Sequence, residues 1–278
     1  MTRRRHERTI AAIVALLPAV AAAQTPAAGA AYPVKPIRLV VPFAPGGATD
    51  IFARLAAAEM TKTFGQQVIV DNRPGAGTTI GAELVAKAPA DGYTLLYTDL
   101  STHSIMVSLY PKLAFNPLRD FTAVAYVNAS PLWLVVHPSV NVKTVRELIA
   151  VAKRHPGTTL GNSGVGTVTH MTAEKFRLRA GIQVTPVNYK GGNTPIVAIL
   201  SGEVAMVMAT IPASIQPVRQ GKLVTVGLAA ARRSPYLPDV PAIGETIEGV
   251  EGAVISGVLA PSGTPQSVID RLNAEFAR

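Results

Sequence analysis

Apolar positions fall in short compact runs, each followed by a glycine-rich turn and then by a stretch with helical spacing. Ile37–Val41 (IRLVV) is such a run. It suits a strand buried on both faces, and Pro42 ends it. Pro45–Gly46–Gly47–Ala48–Thr49–Asp50 is a turn, and a helix opens there with Thr49 or Asp50 as its N-cap. Its stripe is Phe52, Leu55, Ala56, Met60 and Phe64. Val68–Val70 reads as a strand, Gly75–Thr79 as a second glycine turn, and a helix follows through Ile80, Leu84 and Val85. Tyr93–Tyr97 is a third strand, ahead of Ser101–Thr102–His103. This alternation predicts an α/β lobe with a largely parallel sheet.

The pattern then restarts. Leu132–Val136 reads as a strand stopped by His137–Pro138, and Val145–Lys153 as a helix. Thr158–Leu160 leads into Gly161–Asn162–Ser163–Gly164–Val165–Gly166–Thr167, and a helix carrying His170 and Met171 follows. Thr194–Leu200 and Pro212–Gln220 read as helices, Val204–Met208 and Leu223–Leu228 as strands. Pro265–Ala277 closes the chain as a helix with the stripe Val268, Ile269, Leu272 and Phe276. A length of 278 residues suits two lobes. Crossings near Asn128–Pro131 and Gly249–Ser256 divide them into 32–130 plus 252–278 and 131–251. No stop signal follows the last stripe, so the first lobe reads as cut short.

The N-terminus has a different grammar. Met1–Arg8 holds four arginines, Ile10–Ala23 is apolar without a charge, and Ala21–Ala23 is a small-residue exit. These are the parts of a secretory signal peptide, 1–23, too short for a comfortable membrane span. The Ala/Gly/Pro-rich residues 24–31 read as a linker, and the periplasm is the expected location. His6–Glu7–Arg8 fits a twin-arginine signal poorly, which favours general secretion. Cleavage removes four arginines and Glu7, three net charges, so the formal charge falls from +9 to +6. An anionic ligand is favoured. Nucleic acid is not, because Lys-rich runs are absent and aromatics are only 5%. The chain has no cysteine, which excludes disulfides, thiolate metal sites and cysteine nucleophiles. None of the five histidines pairs at metal-ligand spacing, and no metal or cofactor is expected.

Chemistry gathers in the glycine turns. A helix that starts straight after a Gly/Ser/Thr loop presents free backbone N–H groups and the positive end of its dipole, which together favour an anion. The hydroxyls of Thr49, Thr78, Ser163 and Thr167 add donors. Asp50 would repel a carboxylate and reads as a cap. The plain alternative is that these glycines only serve tight turns. Neither Gly75–Ala76–Gly77 nor Gly164–Val165–Gly166 completes a dinucleotide fingerprint, and there is no P-loop. Gly161–Asn162–Ser163–Gly164–Val165 misses the hydrolase elbow at its fifth position. Ser163 and His170 allow a hydrolase alternative, although the helix between them would direct the two apart. His103 and His170 each read as a cleft wall or a helix-packing residue. Trp133 reads as core.

Larger motifs run in a specific order: Tyr32–Pro33–Val34–Lys35–Pro36–Ile37–Arg38, then Pro42–Phe43–Ala44–Pro45–Gly46–Gly47–Ala48–Thr49–Asp50, then Asn72–Arg73–Pro74–Gly75–Ala76–Gly77 and Gly81. Ala90–Asp91–Gly92–Tyr93–Thr94–Leu95–Leu96 follows, and later Gly164, Gly166, Thr167, His170, Glu174 and Tyr189–Lys190–Gly191–Gly192. Pro238–Asp239–Val240–Pro241 and Ala260–Pro261–Ser262–Gly263–Thr264–Pro265 complete the series. In this order, over Tyr32–Arg278, the chain resembles the Bug-type substrate-binding proteins of tripartite tricarboxylate transporters. The resemblance implies a two-lobed α/β fold of the periplasmic-binding-protein type (type II), a flytrap that closes about a hinge. It implies a small organic acid or amino acid as ligand, with a carboxylate held by Phe43, Gly46, Gly47, Ala48 and Thr49 from one lobe. Ser163, Gly164, Thr167 and Val168 hold it from the other, with His170 behind them. Thr78, Ser101, His103 and Thr210 complete the expected lining. The implied partner is a two-subunit membrane permease, absent for many members, and a monomer is expected. The same flytrap presenting its ligand to a membrane kinase is the alternative. The chain departs from the family pattern at Gly202–Glu203–Val204–Ala205, Ala209–Thr210–Ile211 and Val254–Ile255–Ser256–Gly257, which predicts a less polar distal pocket. Family members also normally run on past the residue matching Arg278.

Overall fold

The computed structural model describes residues 32–278, which form one compact unit. The expected signal peptide and linker lie outside the described residues. Nine strands form one hydrogen-bonded sheet, eight of them on a continuous path. In chain order they are β1 (Ile37–Val41), β2 (Val68–Asn72), β3 (Thr94–Asp99), β4 (Phe121–Val136), β5 (Thr158–Asn162), β6 (Val184–Asn188), β7 (Met206–Thr210), β8 (Val224–Leu228) and β9 (Ala253–Pro261). The α-helices are α1 (Ala48–Phe64), α2 (Thr79–Ala86), α3 (Leu100–Leu109), α4 (Val145–Arg154), α5 (Val168–Ala180), α6 (Thr194–Leu200), α7 (Ile211–Arg219) and α8 (Gln266–Phe276).

The strand order is β2-β1-β3-β9-β4-β7-β5-β6, with β8 also on β4. The strand β4 serves both ends of this path. Phe121–Pro131 pairs with β9, whereas Leu132–Val136 pairs with β7 and β8. The sheet is mixed rather than largely parallel. β1 is parallel to β2 and β3, but β9 runs antiparallel to both β3 and β4. The reason is connectivity: β9 re-enters after the whole second half of the chain and slots between β3 and β4.

Each half of the sheet is covered on both faces, as its apolar runs require. In β1, Ile37, Leu39 and Val41 face α1 and α8, while Val40 packs with Val85 and Met106 on the opposite side. In β4, Leu132, Leu134 and Val136 join Leu148 and Phe176, while Trp133 and Val135 join Ile196 and Ile199. Trp133 is core as expected, and its indole N–H donates to Ser214 Oγ at 2.7 Å. The consequence for function is positional. The carboxyl ends of β1, β3, β5 and β7 carry the starts of α1, α3, α5 and α7.

Candidate functional site

Those helix starts converge on a small cavity. Phe43, Gly47, Ala48 and Thr49 line it from the start of α1, Asp99 and Thr102 from α3, Ser163, Thr167, Val168 and Thr169 from α5, and Thr210 from α7, with Gly192 and Val254 completing the wall. Its volume is about 30 Å³. One water needs about 10–15 Å³ of such space. The cavity therefore takes a head group, not a whole organic acid.

The α1 side is bare backbone. Gly47, not Thr49 or Asp50, is the N-cap, and no side chain caps the helix. The first bond of this helix is Ile51 N–H to Gly47 O at 2.9 Å, so the amides of Ala48 and Thr49 have no acceptor among the described residues. Asp50 faces back into its own lobe. It accepts from Gly46 N at 2.9 Å, Asn72 Nδ2 at 2.8 Å and Arg54 Nε at 3.0 Å. Glycine is needed at 47 for room. A Cβ there would meet Gly192 Cα at 3.0 Å. Gly192 itself has φ +63°, and a Cβ on it would run into the carbonyls of Ala44 and Pro45. Asn193 N–H donates to Pro45 O at 3.1 Å, which joins the two loops directly.

The α5 side is a net of hydroxyls. Thr167 caps the helix, its Oγ1 accepting from His170 N and donating to Gly164 O at 2.7 Å. Thr169 Oγ1 lies 2.9 Å from Thr167 Oγ1 and accepts from Ser163 N at 2.9 Å. Val168 N–H donates across the cleft to Thr102 Oγ1 at 3.1 Å, and Thr102 Oγ1 donates to Asp99 Oδ2 at 2.5 Å. Asp99 also accepts from Ser101 N, Thr102 N and Ile255 N. Its oxygens are thereby occupied, and burial pushes its carboxyl above the usual carboxylate range despite those four bonds.

The structure brings together Phe43, Gly47, Ala48, Thr49, Ser163, Thr167, Val168 and Thr210 as expected lining residues. Thr78 and Gly164 line an adjoining chamber instead. Gly46 packs against Asn193 and donates to Asp50. Ser101, His103 and His170 line neither space. Ser101 Oγ donates to Ala253 O at 3.1 Å. His103 Nε2 is 3.1 Å from Pro117 O, its ring lies edge-on to Phe121, and burial lowers its pKa. His170 Nδ1 accepts from Gly166 N at 3.4 Å, and burial lowers its pKa too. These are the helix-packing readings of both histidines. No hydrogen bond joins Ser163 to His170 among the described residues. Sequence reasoning missed Asp99, Thr102, Thr169 and Gly192 as lining residues, and had Val254 only within a segment expected to shape the distal pocket. The available signal was the D-x-S-T series from Asp99 to Thr102, an N-cap that sets the phase of α3 and turns Thr102 inward rather than its neighbours.

Facing helix starts at the carboxyl ends of strands, in a two-part α/β fold with a small cavity between them, define a solute-binding protein. The chain belongs to the tripartite tricarboxylate transporter family receptors, whose family model matches residues 52–278. It is similar to the periplasmic binding protein BugD, with 31% identity and a TM-score of 0.84 over 88% of this chain and 82% of that one. MatC from Rhodopseudomonas palustris, solved with bound malate, is 36% identical with a TM-score of 0.83, over 89% and 85% of the two chains. A further R. palustris protein, solved with adipate, is 34% identical with a TM-score of 0.84, over 88% and 83%. These likenesses bear out the expected two-lobed, Bug-type periplasmic-binding fold.

Proposed function

We propose that the protein captures a small carboxylate-bearing solute in the periplasm, between lobes 32–130 plus 252–278 and 131–251, and delivers it to a two-subunit membrane permease. The observation that carries this reading is the convergence of the unpartnered α1 amides and the hydroxyl-rich start of α5 on one small cavity. A carboxylate there accepts from Ala48 and Thr49 N–H and from the Ser163 and Thr210 hydroxyls, which the α5 net leaves without a partner among the described residues. Closure removes water and strengthens each bond, and because both lobes contribute, the ligand favours the closed state. The handover of β4 between its two partner sets at Pro131–Leu132 supports a lobe crossing there. Malate and adipate in the two R. palustris relatives support a carboxylate ligand. Among the described residues no helix is long and apolar enough to cross a membrane. The reading takes the protein as a periplasmic monomer released by signal cleavage. Capture rather than catalysis is the role.

Calorimetric titration of the mature protein across a carboxylate panel tests this. Gly47→Val obstructs close approach at Gly192, and Thr167→Ala removes the central hydroxyl. Each is expected to weaken binding roughly ten- to a hundredfold, the worth of one or two bonds to a charged group. Unchanged affinity in both variants sinks the assigned site.

A further inference from the structure

The head-group cavity has an unusual wall for an anion. Of the residues that line it, Asp99 alone carries an ionisable side chain, and no lysine, arginine or histidine is among them. Asp99 is buried, and its donors are all neutral: Thr102 Oγ1 and the amides of Ser101, Thr102 and Ile255. The other titratable groups around it supply no cation. On α1, Asp50 and Arg54 pair with each other. On α3, His103 turns to Pro117 O. On α5, His170 is tied to Gly166 N, Glu174 pairs with Arg177, and Lys175 donates to Glu251 O. On β3, burial pushes the Tyr97 hydroxyl up to about 12, so it stays neutral. β7 and β9 carry no titratable side chain, and α7 only Arg219 in its last turn. An ionised Asp99 would therefore meet a bound anion as a like charge with nothing between them to offset it. Thr102 Oγ1 is the link between the acid and the cavity. It donates to Asp99 Oδ2 at 2.5 Å and accepts from Val168 N–H at 3.1 Å. A hydroxyl has one hydrogen and two lone pairs. While its hydrogen points at Asp99, Thr102 can offer the cavity only a lone pair.

We infer that capture is coupled to the uptake of one proton: Asp99 Oδ2 takes it from solvent as the anion enters, and the Thr102 hydroxyl reverses. The inference rests on the carboxylate reading of this cavity. The new Oδ2–H donates to Thr102 Oγ1, which still accepts from Val168 N–H. Both lone pairs of Thr102 are then in use, and its own hydrogen is released to donate to the bound carboxylate. Asp99 Oδ1 keeps Ser101 N–H and Ile255 N–H, and Oδ2 keeps Thr102 N–H on its remaining lone pair. The charges balance. The wall holds one negative charge before capture, on Asp99, and one afterwards, on the ligand. Burial already holds the Asp99 carboxyl above its usual range, so the protonation runs in the direction the wall favours.

The test is calorimetry on the mature protein with malate, adipate and benzoate as probes, from about pH 6.5 to 9, where carboxylic acids are ionised. Each titration is repeated in buffers of different ionisation enthalpy, which counts the protons taken up per ligand. Wild type is expected to take up as much as one proton, and its affinity to fall by as much as about tenfold per pH unit between the free and bound Asp99 midpoints. Asp99→Asn puts an N–H donor where Oδ2–H would stand. It is expected to bind without proton uptake and with an affinity that no longer depends on pH. Thr102→Val keeps Asp99 and serves if the Asn variant does not fold. Its loss of affinity should be greater at the acid end of the range, where the wild-type hydroxyl donates to the ligand, than at the alkaline end. Binding with no proton uptake in wild type, the same uptake in Asp99→Asn, or an equal loss in Thr102→Val at every pH overturns the switch and leaves the capture reading standing. No binding by any of the three acids discards both.

Discussion

Asp50, in the first turn of α1, and Asp99, the N-cap of α3, are buried acids at two helix starts of the first lobe, and they end up electrostatically opposite. Both are buried, at 3% and 1% exposure. Both gather backbone N–H groups around a helix N-terminus. At Asp50, burial works to raise the pKa, but hydrogen bonds from Arg54, Gly46 and Asn72 and the Arg54 charge outweigh it and hold the carboxyl below its usual range. At Asp99 every donor is neutral: Thr102 Oγ1 and the amides of Ile255, Ser101 and Thr102. Burial wins, and the carboxyl sits above its usual range. The difference follows position. Asp50 turns away from the anion cavity and carries its own cation, while Asp99 lines the cavity and has none. A carboxyl nearer its neutral form is the one that a bound anion tolerates beside it, and such an anion pushes its pKa further in the same direction.

The largest effect expected from breaking this comparison is on stability. Asp99→Ala strands four donors in a buried wall, at a cost of roughly 3 kcal/mol. Asp50→Ala strands the Gly46 amide and Asn72, but Arg54 is about half exposed and recovers water, so the cost is about 1–2 kcal/mol. Urea unfolding of the two variants measures the order. If Asp50→Ala proves the more damaging, the four bonds to Asp99 do not hold the lobe as described.

The pH dependence has opposite signs at the two sites. Asp50, with its folded pKa depressed, contributes stability that is present above the unfolded value of about 4 and is lost as pH falls through the folded value. Asp99, with its folded pKa raised, binds more protons folded than unfolded between the two values, so its contribution declines as pH rises from about 4 through the folded value. Wild type minus Asp99→Asn should therefore fall with rising pH over that window, and wild type minus Asp50→Asn should rise with pH below it. Carboxyl NMR titration reads both groups directly, and a common titration midpoint would contradict the contrast.

How much of this was legible in the sequence depended on how local the cause is. The strand Ile37–Val41, the helix Thr194–Leu200 and the glycine loops before α1 and α5 were legible, because a proline stop, a helical stripe or a turn composition sets each within a few residues. The first eleven residues of β4 were not. Two register shifts break their alternation, and Tyr126 points out to solvent. β9 reads as a crossing because its partners, β3 and β4, lie more than a hundred residues away. β6 carries a proline, which a sheet tolerates only at an edge, and β6 is the edge. At the site, residue types near the turns were legible but helix phase was not. Ser101 and His103 flank the residue that reaches the cavity, and only the Asp99 cap decides which of the three does.

The smallest expected effect is the most pointed test of why the two acids differ. If the cation is the cause, removing it should turn Asp50 into a second Asp99. Arg54→Met keeps the stem and the helix propensity but removes the guanidinium that donates to Asp50 and to Asn72 Oδ1. The pair is half-exposed on its arginine side, so the stability cost at neutral pH should stay within about 1 kcal/mol. The pKa should move far more visibly. Gly46 and Asn72 still donate, but burial, already the largest single influence on Asp50, loses its main opponent and carries the carboxyl upward. The Asp50 NMR titration should shift to higher pH, while Asp99, on a different helix start and bonded only to neutral donors, should not move. A depressed Asp50 in Arg54→Met would mean that neutral donors alone can hold a buried carboxylate charged in this lobe, and the raised pKa of Asp99 would then need a cause other than the absence of a cation.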